Sequence, residues 1–96
     1  MTQWLLSEAA ADDLERLVDF LLQAAPEQAE ETVRLITRAL DILQEHPCIG
    51  RTVNHGLREL VISRGSTGHV ALYDYVETLD VAIVHAIRHQ REVGYN

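Results

Sequence analysis

The sequence predicts an α+β fold: a short N-terminal strand, an antiparallel helical hairpin, and a C-terminal antiparallel β-meander covered on one face by the helices. Three observations predict it. Apolar residues recur at helical spacing as far as Glu45. Beyond Pro47 the pattern changes to short β-rich runs. The joins between those runs are of hairpin length, too short for the crossover a parallel pairing needs.

The elements follow in order. Gln3 to Leu6 forms a short strand. Ser7 is a good N-cap, and Glu8, Asp12 and Asp13 suit the positive end of a helix. Leu14, Leu17, Val18, Leu21 and Leu22 carry that helix over residues 8–24. Pro26 suits the first turn of a second helix, and Ala29, Val33, Ile36, Leu40 and Leu43 make one apolar stripe along it. It spans 26–45, because Pro47 disfavours the α region at His46. Cys48 to Gly56 reads as a loop. Strands follow at 57–63, 69–76 and 81–88, joined at Arg64–Gly68 and Glu77–Asp80. Period-2 alternation divides the last strand into a row of Ala82, Val84, Ala86 and Arg88 and a row of Val81, Ile83, His85 and Ile87. The second row is bulkier and is expected under the helices, leaving the row that ends in Arg88 on the open face.

Length and composition bound the rest. Residues 1–96 make a single domain whose small core leaves a thin stability margin. No apolar run approaches the ~18 residues of a membrane span, and the first residues lack a basic, apolar leader. With one cysteine, Cys48, no internal disulfide forms, and the cytoplasm is the simplest compartment. The net charge is −7, and all eight basic residues are arginine. Residues 1–48 hold ten acids against three arginines; residues 49–96 hold five of each, with four of the five histidines. An acidic chain is a poor non-specific binder of nucleic acid, so direct DNA binding is not expected.

Residue by residue the order resembles the RelE/ParE toxin superfamily. His46-Pro47-Cys48-Ile49-Gly50-Arg51 stands where the ParE branch has a His-Pro-x-x-Gly-Arg segment. Leu57-Arg58-Glu59-Leu60-Val61-Ile62, Val70-Ala71-Leu72-Tyr73 and Ala86-Ile87-Arg88-His89-Gln90-Arg91-Glu92 follow in the family's order. The resemblance implies the toxin of a type II toxin–antitoxin (plasmid stabilisation) pair. A ParE-like member arrests growth by poisoning DNA gyrase and is held by a ParD-like antitoxin in a hetero-oligomer. A RelE-like member is instead a metal-independent, ribosome-dependent mRNA interferase. A third possibility is an inactive or regulatory member that binds antitoxin only.

The residues favour the ParE-like reading, with no catalytic group, cofactor or metal. RNA cleavage needs an acid or base and cations that hold the phosphate. There is no lysine, and Val70 stands where RelE-like nucleases carry an arginine. A reduced nuclease site would be His89 as acid/base, Arg91 on phosphate and Tyr95 as orienter. Arg51, Arg58, Arg88, His89 and Arg91 are the candidate contacts with antitoxin or target. Arg51 and Arg58 also have a purely structural reading, pinning a loop through carbonyls or Glu59. Tyr73 and Tyr75 read as packing residues, and His85 as one that packs in the core or bonds a neighbour. His85 and His89 would stand about 13 Å apart along a strand, too far to share zinc. The open sheet face is expected to receive an apolar, partly helical antitoxin segment.

Overall fold

A computed structural model describes residues 1–63 and 68–89. Strand β1 (Gln3–Leu6) leads into helix α1 (Glu8–Ala24), α2 (Pro26–Asp41), β2 (Arg51–Thr52), β3 (Arg58–Ser63), β4 (His69–Val76) and β5 (Val81–His89). The sheet order is β1-β5-β4-β3-β2. The meander β3-β4-β5 is antiparallel, whereas β1 adds to β5 in parallel. The two helices pack as a hairpin against this mixed sheet. Among the described residues no helix is long and apolar enough to cross a membrane.

Local chemistry sets the helix ends. The Ser7 hydroxyl accepts from the Ala10 amide at 3.1 Å, and the Ala25 amide donates to the Leu21 carbonyl at 2.7 Å. Pro26 opens α2, where its missing N–H costs no hydrogen bond. The second helix is shorter than the 26–45 expected: after Asp41 it tightens into a 3-10 turn, Ile42–Gln44. This brings the Gln44 carbonyl to the Thr2 amide at 3.2 Å and so ties the helical layer to β1. The two-residue β2, expected as loop, pairs Arg51 with Glu59 and Thr52 with Arg58.

The core joins Ala10 of α1, Ile36, Ala39 and Leu40 of α2, and Leu43, with Leu60, Ala71, Tyr73, Ala82, Val84 and Ile87 of the sheet. The expected face of β5 is therefore corrected. The small row, Ala82 and Val84, lies under the helices, and His85 and Arg88 are exposed. Two features explain it. Trp4 and Leu6 of β1 stand in register with Ala82 and Val84 and pack against the core, so large side chains from one strand sit beside small ones from the next. A bulge then intervenes: Tyr73 opposes Val84 but Leu72 opposes Ala86, and His85 is the extra residue. One added residue reverses the alternation and carries Ile87 into the core.

Candidate functional site

A groove of about 880 Å³ lies between the two helices and the end of the sheet that carries Ser63, His69 and His89. Leu17, Phe20 and Leu21 of α1 face Leu35 and Ile36 of α2 across it, over Ile62 and Ile87. Phe20 is 65% exposed, a large apolar cost for a surface helix unless something covers it. The sheet end of the groove is basic, with Arg88, His69 and His89. Glu27 and Glu31 of α2 also line it.

Asp13 organises the groove's inner end. It is buried on α1, and its Oδ2 accepts from the Ile87 amide at 3.1 Å. That amide needs a partner because β1 pairs with β5 only as far as Val84. The other oxygen, Oδ1, accepts from Arg16, and Arg88 Nε approaches Oδ2 at 3.8 Å. One carboxylate thus ends the sheet edge and draws two guanidinium groups to the groove. Beside Arg88, the His69 and His89 rings meet edge to face with centroids 5.5 Å apart.

The remaining expected contacts divide. Arg58 Nη1 donates to the carbonyls of Cys48 (3.1 Å) and Gly50 (2.9 Å), and Arg51 pairs with Glu59 at 2.9 Å. Arg58 anchors the loop to the sheet, Arg51 pairs across β2 and β3, and neither lines the groove. Arg88 and His89 do line the groove. Arg91 and Tyr95 lie outside the described residues, as does Arg64. His85 is engaged with Asp74 at 2.6 Å on the exposed surface. The sequence gives Asp13 only a helix-end role and does not mark Phe20. The available signals were an acid among Ala10, Leu14 and Leu17 on the buried face of α1, and a large aromatic off its apolar stripe.

This fold is shared with known proteins. A family model described as the ParE toxin of the type II toxin–antitoxin system parDE matches residues 5–94. The chain belongs to the ParE toxin family. Toxin RelE3 of Caulobacter vibrioides is 33% identical over 87 residues, 91% of this chain and 92% of that protein. Toxin RelE1 of the same organism is 36% identical over 69 residues, 72% of this chain and 74% of that one. Among solved structures, the chromosomal ParDE system from P. aeruginosa superposes with a TM-score of 0.76 at 22% identity, covering 93% of this chain and 96% of that one. The toxin–antitoxin complex RelBE2 from Mycobacterium tuberculosis superposes with a TM-score of 0.60 at 16% identity, covering 93% and 91%. These structures share the fold. With the family match, they make this chain a type II toxin of the RelE/ParE superfamily.

Proposed function

We propose that this toxin acts by binding rather than by catalysis, that its target is DNA gyrase, and that a ParD-like antitoxin silences it. The observation that carries this reading is how the arginines are used. Stabilising a phosphate as charge builds needs cations aimed at the substrate. Among the described candidate residues, Arg58 is spent on two loop carbonyls, Arg51 on Glu59, and Arg88 leans on Asp13, in a chain without lysine. The groove, rather than the open sheet face, is the better seat for an apolar helical segment of the antitoxin. It is concave and lined by Leu17, Phe20, Leu35 and Ile87. The test is expression with and without the neighbouring gene, reading plasmid topology and mRNA ends in arrested cells. Cleaved or relaxed plasmid with intact mRNA is expected; normal topology at full growth arrest overturns the gyrase target.

One observation favours mRNA cleavage as a second reading. His69 and His89 meet beside Arg88, and two imidazoles near a guanidinium are groups that general acid–base cleavage of RNA can use. New mRNA ends that vanish in His89→Ala, with antitoxin binding retained, would establish it.

A further inference from the structure

We propose that Asp74 and His85, on the sheet face turned away from the helices, form the toxin's contact with its target protein and receive an arginine or lysine side chain of that protein. This rests on the reading that the toxin acts by binding, and it separates the target contact from the antitoxin groove. His85 is surplus to the sheet. None of the cross-strand pairs of β4 and β5 includes it. Removing it would leave Tyr73 against Val84 and Leu72 against Ala86, in plain alternation. Its carbonyl meets the Ser7 hydroxyl only at 3.4 Å. Its side chain is 44% exposed and meets Asp74, itself 36% exposed, at 2.6 Å. An exposed ion pair contributes little to stability, whereas a bulge leaves one residue outside the ladder. Folding therefore gains little from His85. Bulges re-aim side chains, and this one aims an imidazole held by a carboxylate.

The chemistry of the pair selects the occupant. Asp74 Oδ1 accepts from His85 Nε2, which fixes the tautomer: in the neutral ring Nδ1 is then an acceptor. Asp74 Oδ2 is a second acceptor. Two acceptors, with a joint charge that is negative or zero, suit a cationic donor and disfavour a phosphate or carboxylate. The neighbours suit the stem of such a side chain. Tyr73, Ala82 and Val84 belong to the core under the helices, so Asp74 and Ile83, which oppose each other, face the other way. Leu5 stands in register with Ile83 on β1 and is 53% exposed. The row Leu5, Ile83, Asp74 thus sets apolar surface beside the acceptors. Arginine and lysine lay their methylenes on such a surface while the charged head meets polar groups.

The test is growth arrest on expression without the neighbouring gene, with melting temperature and antitoxin affinity measured on the same purified variants. His85→Ala, Asp74→Lys and deletion of His85 should each need about tenfold or more expression for the same arrest. Antitoxin affinity should stay within about twofold, since sites with no shared partner act independently. His85→Gln should keep most of the arrest, because its amide can donate to Asp74 while its carbonyl replaces Nδ1 as acceptor. If the deletion melts early, the two substitutions decide. Full arrest by His85→Ala and Asp74→Lys overturns the proposal and leaves the binding reading intact. A matching loss of antitoxin affinity also overturns it, by putting the pair in the antitoxin contact. So does loss of mRNA ends that the wild type produces, which would put the pair on RNA. Normal plasmid topology under an arrest that still depends on the pair overturns the gyrase target alone. A wild-type chain that arrests nothing overturns both.

Discussion

The buried amide of Gly50 donates to the Tyr73 hydroxyl at 2.9 Å, joining the loop after the helices to the centre of the sheet. A Cβ on Gly50 would stand 2.7 Å from Tyr73 Cε1 and 3.0 Å from the Glu59 carbonyl oxygen. The loop lies this close because Arg58 holds it by the carbonyls on either side of Ile49. Two losses follow. Tyr73→Phe leaves a buried amide unpaired, and Gly50→Ala forces a packed ring to move. Each should destabilise by about 1–3 kcal/mol. Urea denaturation measures both; a wild-type midpoint in Gly50→Ala would contradict the close contact.

Burial pushes the Tyr73 phenol above its ordinary range, outweighing the Gly50 hydrogen bond, which lowers it. A raised folded-state value means the contribution is complete below the ordinary tyrosine pKa and is lost as pH rises through the raised one. Thermal melts should show an alkaline loss of stability that Tyr73→Phe lacks. Identical pH profiles for the two proteins would argue against it.

At the opposite end of the sheet, Asp80 accepts from the Thr2 hydroxyl at 2.5 Å and from the Tyr75 hydroxyl at 2.7 Å. These bonds, Thr2 first, hold its carboxyl below the usual carboxylate value. The sign is therefore opposite to that of Tyr73. The contribution is present above the ordinary aspartate pKa and is lost as pH falls through the depressed one. Asp80 also has a φ of 53°, which Asn tolerates better than Ala. Asp80→Ala should lower the melting temperature more than Asp80→Asn, and both should flatten the acid limb of the stability profile.

Asp13→Ala should cost about 1–3 kcal/mol, because it orphans the Ile87 amide at the end of the β1–β5 pairing. Asp13→Asn keeps an acceptor for that amide but loses the charge that faces Arg16 and Arg88. It should retain more stability than Asp13→Ala. Amide hydrogen exchange at Ile87 separates the cases: fast in Ala, slow in Asn.

Phe20→Ala should leave folding free energy within about 0.5 kcal/mol, since the ring is largely exposed, yet weaken antitoxin binding by about tenfold or more. If apolar burial dominates the contact, the affinity should also be insensitive to salt. From about 0.1 to 0.5 M salt it should change by less than about threefold. Calorimetric titration of the variant and a salt series on the wild type check both. A steep salt slope would shift the weight from Phe20 to Arg88 and Arg16.

The sequence alone determined most of the elements, though not β2 or the end of α2. Helical spacing, the Ser7 cap and Pro26 placed α1 and the start of α2, and β-rich runs bounded by Gly and Asp placed β4 and β5, because these signals lie within a few residues of what they specify. The ordered motifs also identified the family, which the family match bears out. Tertiary structure decided what depends on distant partners. The parallel pairing of β1 with β5 and the bulge at His85 choose which row of β5 is buried, and a one-residue change of phase exchanges the two faces. It also decided the use of single residues. Arg58 became a loop anchor through Cys48 and Gly50, and Asp13 became the partner of Ile87, 74 positions away. Helical and strand periods record which residues face inward along one element. They hold no record of which element lies opposite, and a groove is made only where two such elements meet.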